Sequence, residues 1–106
     1  MKAIFITLIF TINLFSIKAM SQQKIKIAIA QILCMDGDKA GNFVRIENAM
    51  QEAKAKKAKI IVFPESSILG WINPEAHTRA TPIPGNDANF LCNLAKKYQL
   101  FVMGKN

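Results

Sequence analysis

The chain has 106 residues, of which 51% are hydrophobic and 20% charged, with four prolines and five glycines. That balance is too apolar for a disordered tail and shows no collagen-like bias, and the length sets a ceiling of one small domain or part of one. Lys and Arg outnumber Asp and Glu by 14 to 7, giving +7, and the counts become 12 against 7 once Lys2 and Lys18 of the leading segment are set aside.

Met1 and Lys2 give a short positive start, and Ala3 to Ile17 then runs fifteen residues without a charge before Lys18-Ala19-Met20-Ser21. This layout predicts a secretory signal peptide over residues 1–21, with Ala19 and Ser21 as the small residues for cleavage before Gln22. The run falls short of the roughly 20 residues that span a bilayer, and the competing reading is an uncleaved short anchor. Export, periplasmic or secreted, is the expected localisation, with membrane contact only through this segment. Cys34 is the first cysteine, so no thiol for a lipid anchor stands at the new N-terminus. Cys34 and Cys92 both fall in or beside apolar runs, and buried free thiols are expected in preference to a disulfide.

Lys24 to Gln31 alternates Ile25, Ile27 and Ile29 with Lys26, Ala28 and Ala30, the period of two of a first strand. Asp36-Gly37-Asp38 supplies turn chemistry and an N-cap, and Phe43, Ile46, Ala49, Met50 and Ala53 recur at helical spacing, predicting a first helix over residues 39–57. Ala58 to Phe63 is a short β-branched run stopped by Pro64, as expected of a second strand covered on both faces. Residues 66–85 are rich in Gly, Pro, Ser and Asn and read as loop, with one short helical turn starting near Asn73-Pro74-Glu75. From Asp87, Leu91, Leu94, Ala95 and Tyr98 mark a second helix, and Leu100 to Gly104 a third strand.

Strands alternating with helices imply right-handed crossovers and a parallel sheet, so the fold class is α/β with a βαβαβ order. Two same-handed crossovers between successive strands place both helices on one face and leave the other bare. The expectation is that residues 22–106 are the front part of a larger domain.

Glu65 directly follows Phe63-Pro64, and in open α/β sheets ligands gather beyond the carboxyl ends of the strands. A partly desolvated carboxylate at that place can exchange protons with a thiol or water, although an ordinary salt bridge is the plainer reading of position alone.

The order of Gln31, Gly37-Asp38, Asn42, Ile60-Ile61-Val62-Phe63-Pro64-Glu65, Leu69-Gly70-Trp71, Ile83-Pro84-Gly85, Leu94-Ala95-Lys96-Lys97 and Gly104 resembles the nitrilase superfamily of carbon-nitrogen hydrolases over residues 25–104. The resemblance implies an αββα sandwich, assembly into homo-oligomers, no cofactor, and a Glu-Lys-Cys set acting on a small amide or nitrile. In such a set glutamate is the general base toward a cysteine thiol, which forms a thioester that water hydrolyses, while lysine stabilises the oxyanion. Glu65 matches the glutamate. The family's lysine and cysteine lie beyond the strand corresponding to residues 100–104, and neither has a matched position here. Trp71 stands where the family often has tyrosine and is a candidate for the substrate pocket, with simple packing as the alternative.

Two rival readings use the same chain. Cys34, Glu65 and His77, the only histidine, would form a self-contained thiol enzyme if the fold brought them together, although nothing in their spacing requires it. A non-catalytic fragment or interaction module is the other alternative. Lys54, Lys56, Lys57 and Lys59 form a basic cluster, but lysines near a helix C-terminus favour the macrodipole and Glu52 can pair with Lys56, so a solvated face and no nucleic-acid partner is the expectation. One His and two distant Cys make no recognised metal set.

Overall fold

The computed structural model describes residues 22–105. The signal segment expected over residues 1–21 lies outside the described residues. In chain order the elements are β1 (Ile27–Ile29), α1 (Lys39–Ala55), β2 (Ile60–Val62), α2 (Ala76–Arg79), α3 (Asn86–Tyr98) and β3 (Phe101–Met103). The predicted βαβαβ order is present, with the short turn near residue 75 realised as α2. No helix among the described residues is long and apolar enough to cross a membrane.

The sheet is parallel with order β1-β2-β3, and its register aligns Ile27 with Ile60 and Phe101, Ala28 with Ile61 and Val102, and Ile29 with Val62 and Met103. Because strand side chains alternate between faces, the middle row points one way and the two outer rows the other. The middle row meets the helices: Ile61 is buried, and Ala28 and Val102 pack against the core. On the opposite face Ile29 is 78% and Phe101 76% exposed. Both crossovers therefore cover the same face, as the handedness rule requires. The expectation that the second strand is covered on both faces is corrected: Ile61 and Phe63 are buried on the helix side, while Ile60 and Val62 are only half-buried on the uncovered side.

Each helix lays its apolar stripe on the sheet and its flank on the other helix. Ile46, Met50 and Ala53 of α1 and Leu94 of α3 join Ile61, Phe63, Ile68, Leu69 and Leu100 in one core. Between the helices, Phe43 meets Phe90 with ring centroids 4.4 Å apart, and Lys39 bonds Asp87 at 2.7 Å. Farther along, Glu47 accepts from both Lys97 Nζ (2.7 Å) and Tyr98 Oη (2.8 Å), and these two bonds hold its carboxyl below the usual glutamate range.

Helix ends follow from local chemistry. Asp38 caps α1 by accepting from the Gly41 amide at 3.0 Å, and the Arg45 guanidinium beside it, with that amide, holds its carboxyl below the ordinary range. At the other end Lys57 takes a left-handed φ of 61°, so α1 stops at Ala55 rather than at residue 57. The amides of Lys57 and Ala58 then return to the carbonyls of Lys54 and Ala53, both at 2.9 Å. α3 ends in the same way, with Gln99 at φ 54° and the amides of Gln99 and Leu100 bonding the carbonyls of Lys96 and Ala95. Both are Schellman ends, and each is followed by a buried residue, Ala58 or Leu100, that starts the run into the next strand.

Candidate active site

The carboxyl ends of the strands converge on residues 63–72. Phe63 is buried and its amide donates to the Met103 carbonyl at 2.8 Å, while the Ser66 amide donates to the Lys105 carbonyl at 2.7 Å. These two bonds extend the β2–β3 pairing past the strand ends and hold Glu65 between them. Residues 65–69 form a tight turn, closed by the Gly70 amide on the Ser66 carbonyl at 2.9 Å and by the Ser67 hydroxyl donating to the Pro64 carbonyl. Ile68 and Leu69 anchor the turn in the core.

Glu65 thus sits beyond the carboxyl end of the central strand, where its sequence position placed it. Its side chain is 44% exposed, and Oε1 lies 2.9 Å from the Lys105 ammonium, which holds the lysine above its ordinary pKa. The desolvation expected of this carboxylate is therefore not in place among the described residues, and a single exposed cation is its charged neighbour. Lys105 was not singled out from sequence. It is reached by the argument that found Glu65, because it follows the strand beside β2 at the same sheet edge.

The loop carrying Trp71 is held by residues from the first β–α connection. Gly37 donates to the Leu69 carbonyl at 3.0 Å, and Asp36 Oδ1 accepts from the Ile72 amide at 3.1 Å. Gly70, at φ +88°, packs directly on Asp36: a Cβ there would come within 2.5 Å of its Cα, so only glycine suits both the backbone and the contact. Asn42 fastens the same two loops from below. It is fully buried, donates to the carbonyls of Met35 (2.8 Å) and Ile68 (2.9 Å), and accepts from the Met35 amide (2.8 Å) and Arg45 (2.6 Å). Trp71 itself is 69% exposed, next to the Glu65 turn and free to meet a ligand or a covering layer.

The thiol-enzyme constellation is not assembled. Cys34 donates to the Ile32 carbonyl at 3.6 Å, His77 is exposed on α2, and no hydrogen bond among the described residues joins either to Glu65. Both cysteines are free, but the expectation of burial is corrected: Cys34 is half-buried and Cys92 exposed. Helical phase explains Cys92, since Leu91, Leu94, Ala95 and Tyr98 form the inward stripe of α3 and position 92 lies outside it. Among the described residues no three His, Cys, Asp or Glu side chains cluster as a metal site. Among the described residues the site brings together one carboxylate and one ammonium at an open sheet edge, with no thiol bonded to either.

No curated protein matches the chain. The family model described as carbon-nitrogen hydrolase matches residues 26–105, a span containing every strand and helix described above together with Glu65, and the chain belongs to that family.

Proposed function

We propose that this chain supplies the general-base portion of an enzyme hydrolysing carbon-nitrogen bonds in small amides or nitriles, with Glu65 as the base. The observation that carries the reading is the place of Glu65, fixed beyond the central strand's carboxyl end by backbone bonds on both sides and open toward solvent. In the reaction Glu65 takes the proton of a cysteine thiol and the thiolate attacks the substrate carbon. With an amide, the oxyanion collapses to a thioester as the amine leaves with that proton. Glu65 then takes a proton from water, whose oxygen attacks the thioester, and the released thiol regains the proton. A lysine supplies positive charge to the oxyanion in both halves. The resemblance gives this lysine and the cysteine no position among residues 25–104, so Glu65 is the one member of the set proposed here.

On this reading the uncovered sheet face bearing Ile29 and Phe101 packs beneath a second sheet of an αββα sandwich, and the complete enzyme assembles into homo-oligomers. That second layer would also dry the site, strengthening the Glu65 carboxylate as a base. Trp71 then borders the substrate pocket, and residues 1–21 direct the enzyme to the periplasm or outside the cell.

The test is ammonia release from a panel of amides and nitriles by the complete product of the encoding gene, read to its own stop codon. Glu65→Gln is expected to lower kcat by about 10²–10⁴-fold with the fold unchanged. An unchanged rate in that variant, or a reading frame lacking a lysine and a cysteine after further strands, would overturn the assignment.

A further inference from the structure

The parallel topology sends the amino ends of all three strands and the carboxyl ends of α1 and α3 to one pole, opposite Glu65. Eight lysines meet there, and all are exposed. Lys24 and Lys26 lead into β1, Lys54, Lys56 and Lys57 close α1, Lys59 leads into β2, and Lys96 and Lys97 close α3. They form a continuous surface. Lys26 Nζ donates to the Lys56 carbonyl at 3.0 Å, the Lys59 amide to the Lys26 carbonyl at 2.9 Å, the Phe101 amide to the Lys59 carbonyl at 2.9 Å, and Lys54 Nζ to Gln99 Oε1 at 2.7 Å.

Among the described residues two carboxylates answer these charges, Glu52 on Lys56 at 2.6 Å and Glu47 on Lys97 at 2.7 Å. At the Glu65 pole the balance is reversed, with Lys39, Arg45, Arg79 and Lys105 facing five carboxylates. The positive excess of the described residues is therefore concentrated at one end. The helix macrodipole accounts for lysines in the last turns of α1 and α3. It does not account for Lys24, Lys26 and Lys59, which lie on strand approaches outside any helix.

We propose that the leading segment is retained as the short anchor of the competing reading and that this pole docks beside it on a membrane surface carrying anionic lipid. The sequence indicates the surface: the apolar run Ala3–Ile17 ends only seven residues before Lys24, so the pole stands beside whichever bilayer holds that run. A short apolar segment and a polybasic patch are each weak membrane signals that together hold a protein at the surface. The side chains also favour lipid over nucleic acid. Every cation of the pole is a lysine, a point charge suited to diffuse headgroup charge, and none is the guanidinium fork that reads bases and grips phosphates in pairs. In this orientation Glu65 faces away from the membrane.

Sedimentation of the full chain with phosphatidylcholine vesicles, with and without phosphatidylglycerol, tests the proposal at low and high salt. Anionic lipid is expected to raise affinity on the order of tenfold or more at low salt, and high salt to erase the gain. Joint replacement Lys24→Gln, Lys57→Gln, Lys59→Gln and Lys96→Gln, which breaks no side-chain bond described above, should remove the gain and leave binding to neutral vesicles unchanged. Lys105→Gln, at the opposite pole, should keep it. Equal binding to both vesicle types, or a gain that survives high salt or the joint replacement, would overturn the proposal. So would tighter binding to a DNA duplex than to the anionic vesicles at the same salt, which would make the pole a nucleic-acid face.

Discussion

Asn42 is the residue on which the geometry of the Glu65 edge depends most directly, and Asn42→Ala gives its measure. The side chain is fully buried and makes four hydrogen bonds, tying the Met35 backbone on one loop to the Ile68 carbonyl on the other. Truncation removes those bonds at about 1 kcal/mol each, and it leaves the Ile68 carbonyl buried without its partner and the Met35 amide unpaired in a part-buried position. Relaxation and water entry recover part of that loss, so a net destabilisation of about 3–4 kcal/mol is expected, a large fraction of the 5–15 kcal/mol typical of a domain. With a urea m-value of about 1 kcal/mol/M, the unfolding midpoint should fall by about 3 M. Asn42→Asp should cost a comparable amount, because it replaces the donor facing two carbonyls by an acceptor. A loss below about 1 kcal/mol in both variants would show that the two loops hold their positions without this side chain and would refute the reasoning.

The left-handed residues separate into two kinds, which opposite substitutions distinguish. Gly70→Ala forces a Cβ against the Asp36 backbone at φ +88° and should destabilise by more than about 2 kcal/mol in the same urea assay. Lys57→Gly relieves a non-glycine residue at φ 61° in an exposed helix end and should stabilise by about 1 kcal/mol. The Glu65–Lys105 pair predicts an alkaline limit: with its folded pKa raised above 10.5, Lys105 stabilises the fold fully below that pH, and the contribution fades as pH rises through the folded value. An NMR titration of the Lys105 ammonium should show the elevation, and Glu65→Gln should abolish it.

Much of the fold was legible in local patterns. Alternating isoleucines located β1, the helical spacing from Phe43 to Ala53 located α1, and the Asp36-Gly37-Asp38 turn announced an N-cap, which Asp38 forms. Chain order and the handedness of crossovers were enough to predict that one sheet face would stay uncovered, and position after the second strand was enough to place Glu65 beyond that strand's carboxyl end, where it forms the ion pair that is the plainer reading of its position. These are short-range signals, set by backbone geometry and by which side chains recur on one face. Tertiary structure decided what depends on segments far apart in sequence. Lys105 meets Glu65 across forty residues through the β2–β3 register, Asn42 joins two loops that no motif links, and Cys92 falls outside the apolar stripe by the rotation of α3 on the sheet. The gathering of lysines from four separate stretches at one pole also emerged only when the strands were laid side by side, because charge on a linear chain carries no record of which ends the parallel topology brings together.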